Sequence, residues 1–501
     1  MIKKTLICLG LLCVITAHSQ HELISFENSL KTSESSLKDV IPIVNEKTGD
    51  ISLFLMDATK VYGYLLNDEF KVVKSLSSDD KSRKYRMLIG KSISSTNDYR
   101  IYLTNNKENK FASINFSYGE KTSTFEEFEL VSKKEMLVQT VTYNNDFYLI
   151  SIIKNTSKLC FYKFNDDGKY NRTELDLSSI KFFNRYSKES SLFHLITTCS
   201  GSYGFKRMIN LKKIDENSPN SIEVTSEKSK FYLRENTVVF TFDENHEFTQ
   251  IITIDLNNFE YKVAQIIKPN FKSDEIENTQ NSIYYTELNK KTNSFLKGTN
   301  LFLIGSTDDE FIFMVKNYNT KEILKEYKVN VEDSITFKNT PIIQEGGTFE
   351  SYREMEKTRK YLRKITSGDI GVAVYKKDNK YQITLGGKKE IKRGGGMMMP
   401  MGGFGMPIAS AGAITVFFNP TYSAFNSYTS TKSTHIKGLF DLNFEHLKGE
   451  VERNVFDKIY EFEENERVAN YGETVFRYKD YFILGNYLTK EKKYILRKFK
   501  D

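Results

Sequence analysis

The feature that most limits what this chain can fold into is a near-constant interval between short apolar, β-branched and aromatic runs. ISLFLM begins at Ile51, YRIYLT at Tyr99, FYLISII at Phe147, LFHLIT at Leu192 and VVFTF at Val238, so successive starts lie 48, 48, 45 and 46 residues apart. Such runs suit a pleated, half-buried surface. Repetition every 40 to 50 residues or so is the spacing of four-stranded propeller blades. Partner runs follow polar turns at residues 62–66, 161–164, 251–256, 311–315 and 381–385, and Asp167-Gly168 marks a hairpin. The expected fold class is therefore all-β, a β-propeller of seven or eight blades. The number stays open because the later runs at Gly371 and Ile414 can share one blade. Residues 23–26 are expected to add a strand to the final hairpin, 481–485 with 494–499, tying the two ends by hydrogen bonds. Two stacked β-sandwich domains are the competing architecture. The absence of a Pro- or Gly-rich linker in the first 340 residues weighs against them.

After Val238 the runs begin at Leu301 and Gly371, so the interval stretches and something is inserted. One insertion, 348–366, reads as a helix. Phe349, Tyr352, Met355, Leu362 and Ile365 share a face, Glu356 precedes Lys360 by four, Thr348 can cap the start and Ser367-Gly368 the end. The other is a Gly- and Met-rich loop, 394–411.

Residues 1–19 read as a signal peptide. Lys3 and Lys4 precede an apolar core from Leu6, and Ala17 and Ser19 place small residues before a cleavage point at Gln20. The core is too short for an ordinary membrane span. Neither Cys8 nor Cys13 follows a small residue, so a lipoprotein is not expected. Residues 20–501 are then one propeller domain without a transmembrane helix, destined for the periplasm, the cell surface or the medium. Cleavage lowers the net charge from +7 to +5, because two lysines leave. Cys160 and Cys199 remain, either as buried thiols or as a disulfide joining neighbouring repeats.

Several chemistries are not written in the chain. Without tryptophan, carbohydrate recognition loses its favoured stacking platform and the WD-type blade signature cannot occur. No GxSxG, P-loop, HExxH or CxxC is present. His21, His194, His246, His435 and His446 lack helix-type zinc spacing; His435 and His446 either converge across a strand-like run or are two surface imidazoles. The acidic turns at 165–168 and 307–310 read as solvated hairpin turns, the first lacking the downstream glutamate of a calcium loop. No catalytic residue, metal set or cofactor is assigned. Of 72 basic residues only 15 are arginine, which disfavours a nucleic-acid partner. The densest basic cluster, 359–364, either complements the end of the inserted helix or meets an anionic surface.

One segment departs from the rest. Residues 394–431 carry no charge, in a chain that is 27% charged, and hold GGGMMMPMGGFGMP. Such a loop can pack over a face or plug a channel, present a sticky surface, or hold Cu(I) on thioethers. Met397, Met398, Met399, Met401, Phe404 and Met406 are the candidate partner-binding loop. Pro400, Pro407 and the glycines make a spanning helix there a poor one.

NSFLKGTNLFLIGSTDDEFIFMVKNY, TPIIQEGG, the Gly/Met loop and FFNPTYSAFNSYTSTKST, within residues 293–444, resemble a group of uncharacterised exported Bacteroidota β-propeller-like proteins. The resemblance spans under a third of the chain and implies no activity. The expected function is a non-enzymatic exported propeller that binds or assembles a protein partner or an envelope surface. The competing expectation is a hydrolase whose residues gather from blade-top loops at a tunnel mouth.

Overall fold

A computed structural model describes residues 21–28, 39–79, 81–130, 133–200, 206–271, 290–346, 352–389, 419–428, 432–468 and 471–501. The signal peptide and most of the uncharged segment, including all six candidate contact residues, lie outside them. The fold is an all-β propeller. Seven sheets of four or more strands follow one another along the described chain, numbered here 1 to 7. Sheet 1 runs Asp39–Val44, Ile51–Met56, Val61–Leu66, Val72–Ser77, and sheet 2 Met87–Ile93, Tyr99–Thr104, Phe111–Ser117, Thr122–Phe128. Sheet 3 runs Glu135–Tyr143, Asp146–Ile153, Lys158–Phe164, Tyr170–Asp176, and sheet 5 Lys291–Lys297, Asn300–Ser306, Glu310–Asn317, Ile323–Asn330. In these four the spatial order equals the chain order, so each is a meander of hairpins.

The burial gradient is that of a blade. Every residue of Ile51–Met56 and of Tyr99–Thr104 is buried, whereas the outermost strands, such as Val72–Ser77 and Tyr170–Asp176, are mostly exposed. Tight turns link the strands. Asn144 and Asn145, and again Asp378 and Asn379, both take positive φ, the backbone of a two-residue hairpin loop. At 165–168 the Gly168 amide returns to the Asn165 carbonyl at 3.0 Å, and the Asp166 carboxylate accepts from the Ser95 amide and hydroxyl.

Sheets 4, 6 and 7 vary the theme. Sheet 4 adds Lys212–Ile214 in parallel beside Ser229–Arg234, ahead of Thr237–Phe242, Phe248–Asp255 and Tyr261–Ile267. Sheet 6 orders Arg353–Met355, Ile342–Glu345, Lys432–Phe440, Lys380–Lys389, Asp369–Lys377, with His446–Leu447 beside Lys432–Phe440. Sheet 7 joins Thr474–Tyr478, Tyr481–Leu488 and Lys493–Phe499 to His21–Glu27, which pairs antiparallel with Lys493–Phe499. The strand expected at 23–26 is thus present and completes the last sheet.

The chain divides into two compact units. The first comprises Met1–Arg83, Phe116–Thr124 and Arg453–Asp501, the second Lys84–Asn115 and Phe125–Glu452. In the first, Leu53, Leu55 and Leu66 of sheet 1 share a core with Phe476, Ile483 and Leu496 of sheet 7. In the second, facing sheets bury comparable layers: Ile150 and Phe161 against Phe240 and Ile252, and Leu303 and Phe313 against Val372 and Ile383. Gly90 is needed where sheet 2 meets sheet 3, because a Cβ there would lie 1.9 Å from the Phe147 ring.

Two sequence expectations change. Leu192 opens a helical turn, α1 (Leu192–Ile196), before a strand at Thr197–Ser200. The composition is that of a strand, but tertiary partners take the first amides: Leu192 N–H donates to Ser157 Oγ at 3.0 Å and Phe193 N–H to the Thr156 carbonyl at 3.1 Å. A second short turn, α2, is Ile222–Thr225. The inserted helix, α3, covers Thr358–Thr366, not 348–366. Its expected first half instead supplies Arg353–Met355, drawn into register with residues 342–344, so Met355 is buried in the sheet and Tyr352 is 61% exposed. The stop is as expected: Ser367 caps the helix, and Gly368 lies so close to the Lys388 carbonyl that a Cβ would sit 2.0 Å from it. Asn419-Pro420 starts a helix, α4 (Pro420–Phe425), with the Asn419 side chain accepting from Tyr422 N–H. The Ile414 run and the cap at Thr348 lie outside the described residues.

Candidate ligand-binding cleft

The connection from sheet 3 to sheet 4 does not run directly. A small hairpin, Phe182–Phe183 with Glu189–Ser190, leads into α1, and a second, Thr197–Ser200 with Lys206–Ile209, leads out. The first is clamped from sheet 4. Gln250, buried, accepts from Phe183 N–H at 2.9 Å and donates to the Phe183 carbonyl at 2.8 Å, standing in for a neighbouring strand. Asn245 donates to the Asn184 carbonyl and the Ser187 hydroxyl, fixing the tip. Phe193, Leu195 and Ile196 anchor α1 in the core and leave His194 at the surface.

These supports frame a cleft of about 580 Å³ lined by Asn155, Asn184, Glu189, Ser190, Ser191, His194, Leu195, Arg207 and Glu244. All but Leu195 are polar. Ser191 stands at the N-cap of α1, yet its hydroxyl makes no capping bond and pairs with His194 Nδ1 at 2.8 Å. Desolvation of the imidazole, then the positive Arg207 guanidinium, hold His194 below the ordinary histidine range, so it is neutral at pH 7. Arg207 is oriented by Thr197, whose hydroxyl accepts from Nη1 at 3.1 Å, and lies 6.0 Å from the Phe193 ring centre. Thr197 Oγ in turn donates to the Phe193 carbonyl at 2.6 Å. The cleft thus offers a positioned cation, two carboxylates (Glu189 and Glu244), a neutral imidazole and two hydroxyls.

None of the six candidate contact residues from sequence is among those lining residues; of the histidines noted there, His194 alone lines the cleft. The Gly/Met loop connects Lys380–Lys389 to Lys432–Phe440, paired strands of sheet 6, and its six candidate contact residues lie outside the described residues. His435 and His446 do not converge. His446 sits opposite Phe440, five positions along the strand from His435, roughly 16 Å away. His446 Nε2 meets Asn339 Oδ1 at 2.9 Å. His435 is not at the surface: it is 4% exposed, 3.6 Å from Glu345, and burial followed by Lys437 pushes it down to about 3. Among the described residues no group of three or more His, Cys, Asp or Glu could hold a metal, and no helix is long and apolar enough to cross a membrane. The Cys199 side chain lies outside the described residues, and Cys160 is a free, buried thiol. Burial, then the Glu135 carboxylate, push it up to about 11, while Arg172 donates to its sulfur at 2.8 Å. The sequence signal for the cleft was ESSLFH, a histidine set alone in an apolar run three residues after a serine.

No family model matches the chain and no curated protein matches it. Solved structures similar to it include a mutant Synechocystis apocarotenoid oxygenase, 6% identical over 58% of this chain and 61% of that one, TM-score 0.28. The Dos1 propeller is 8% identical over 69% and 70%, TM-score 0.25. A mutant prolyl oligopeptidase B from Galerina marginata is 8% identical over 71% and 38%, TM-score 0.30. The chain spans about three fifths of the oxygenase and well under half of the oligopeptidase. The propeller assignment rests on the order and burial of the sheets, not on these distant likenesses.

Proposed function

We propose that this chain is an exported, non-enzymatic propeller that binds a small polar ligand in the Arg207–His194 cleft. The observation that carries the reading is the cleft's mixed lining: a guanidinium held by Thr197 across a strand pair, with Glu189 and Glu244 among the other walls. That arrangement suits a zwitterion whose carboxylate meets Arg207 and whose ammonium meets a glutamate. Calorimetric titration with a panel of free amino acids and dipeptides tests it. At least one zwitterion is expected to bind, and Arg207→Ala to weaken it roughly tenfold to a hundredfold while the circular dichroism spectrum stays unchanged. Saturable binding that Arg207→Ala leaves intact would reject the cleft as the site.

Export is part of the proposal and rests on the first nineteen residues. Expression of the full chain in a diderm bacterium is expected to yield a mature protein beginning at Gln20 in the periplasmic or extracellular fraction. N-terminal sequencing that returns Met1 in the cytoplasmic fraction would contradict it.

The Ser191–His194 contact at 2.8 Å favours a second reading, a serine nucleophile beside its base. Among the described residues no carboxylate is hydrogen-bonded to the imidazole, and the pair lies within one helical turn, which is also the geometry of a simple local contact. Turnover of p-nitrophenyl acetate abolished by Ser191→Ala would select this reading over pure binding.

A further inference from the structure

We propose that one end of sheet 6 is a docking surface for the anionic lipid headgroups of a membrane, formed by Arg353, Arg363, Lys364, Lys389 and Lys432. These cations come from four elements. Lys389 and Lys432 are register partners on adjacent strands. Arg353 lies on the hairpin strand two places further across, where Gln344 bridges it to Thr434. Arg363 and Lys364 are in the last turn of α3, which packs on the Lys380–Lys389 and Lys432–Phe440 strands. Arg353, Arg363 and Lys389 are exposed, and Lys364 and Lys432 half-buried. Among the described residues none of the five forms an ion pair, unlike Arg359 one turn earlier on α3, which is taken by Glu332.

Partial burial, then repulsion from Lys432, Arg353, Arg363 and Lys389, hold Lys364 below the ordinary lysine range, which is what like charges crowded at one place produce. Two acids share the hairpin but neither forms an ion pair with the five cations: Glu354 accepts from the Tyr352 hydroxyl at 2.7 Å, and Glu345 lies 3.6 Å from His435. Clustered cations with no acidic partner bind an anionic surface, each contributing on its own at short range.

Why a bilayer, and not a soluble anion or a nucleic acid, follows from the sequence that leaves this surface. Between Lys389 and Lys432 the chain has a single acid, Glu390, then Lys392 and Arg393, then the uncharged residues 394–418 with five methionines and three phenylalanines, before α4 returns the chain to the buried fold. Attachment to a bilayer strengthens with apolar area and with electrostatic attraction to anionic lipids together, and the sequence here supplies both kinds of residue side by side.

The test uses the chain from Gln20 onward, which holds every described residue, and vesicles of phosphatidylcholine alone or mixed equally with phosphatidylglycerol. Sedimentation is expected with the mixed vesicles only, declining as salt is raised. Arg353→Gln, Arg363→Gln and Lys389→Gln together are expected to weaken partitioning roughly a hundredfold. Equal partitioning to both vesicles, partitioning indifferent to salt, or a folded triple variant that binds as before would overturn the proposal. So would release from vesicles by millimolar inorganic phosphate, or retention of a DNA duplex without any vesicle binding. The salt and phosphate arms use the unmodified chain and decide the matter even if the triple variant does not fold.

Discussion

Asp243→Asn is expected to destabilise the second unit by about 3–5 kcal/mol, read as a fall in the urea midpoint at pH 7. Asp243 is the carboxylate at the centre of a buried ionic cluster. Lys230 Nζ lies 3.0 Å from it and Lys268 Nζ 3.8 Å, and the side chains of all three are essentially inaccessible to solvent. Thr249 and Ser294 donate to its two oxygens at 2.7 and 2.8 Å. Burial by itself would raise this carboxyl, but Lys230 and Lys268 outweigh it and hold the group down to about 2. The amide keeps the shape and one acceptor oxygen, yet removes the counter-charge from Lys230 and Lys268, which burial already holds below the ordinary lysine range, Lys268 down to about 7. Lys268 can still donate to the Asp243 and Asn245 backbone carbonyls, and Lys230 to Asn293, which is why the loss is partial rather than the full penalty of an unsolvated ion. The sign of the acid dependence follows. A folded-state value below the unfolded one contributes stability that is present above about pH 4 and is lost as pH falls through 2. The variant should lack that acid-sensitive component. A midpoint within about 0.5 kcal/mol of the parent would mean that the cluster is already neutralised some other way.

Glu463→Gln is expected to act in the opposite direction and to stabilise the protein at pH 8. Glu463 lies on the helix Val455–Glu466, which a capping box at Asn454 and Asp457 starts and Phe462 anchors against Phe499. Burial first, then the charge of Glu473 and a hydrogen bond with it, push Glu463 up to about 9. Its folded value is raised, so the folded state holds a proton that the unfolded chain releases. Stability is therefore greatest below about pH 4.5 and declines as pH rises toward 9. Glutamine mimics the protonated form at every pH. After allowance for partial solvent screening, the gain at pH 8 is about 1–3 kcal/mol, vanishing near pH 4. Thermal melts across that range check both the magnitude and the slope. A variant less stable than the parent at pH 8 would show that the pair is held by ionic contacts to other groups.

The blades were legible because their physics is local. A run such as ISLFLM is buried along its whole length and ends in polar turns, so its interval is written directly in the sequence. The strand that completes sheet 7 was also legible, from an alternating segment near one end and an incomplete hairpin near the other. The turn at Leu192 was not, because what makes LFHLI helical is Ser157 and Thr156, some thirty-five residues upstream, capturing its first amides. The same applies to the cleft: Asn155, Asn184, Arg207 and Glu244 are ordinary surface residues until Gln250 and Asn245 clamp the intervening hairpin in place. Lys230 stands near the start of the strand Ser229–Arg234, and nothing local marks it as a partner of Asp243. The basic surface was half visible. Arg363 and Lys364 stand out in the sequence, but only strand pairing brings Lys389, Lys432 and Arg353 beside them.

The pairing of His21–Glu27 with Lys493–Phe499 has a consequence for biosynthesis. His21–Glu27 must wait until Lys493–Phe499 has been made before the seventh sheet can assemble. A contact of such sequence separation forms slowly and late.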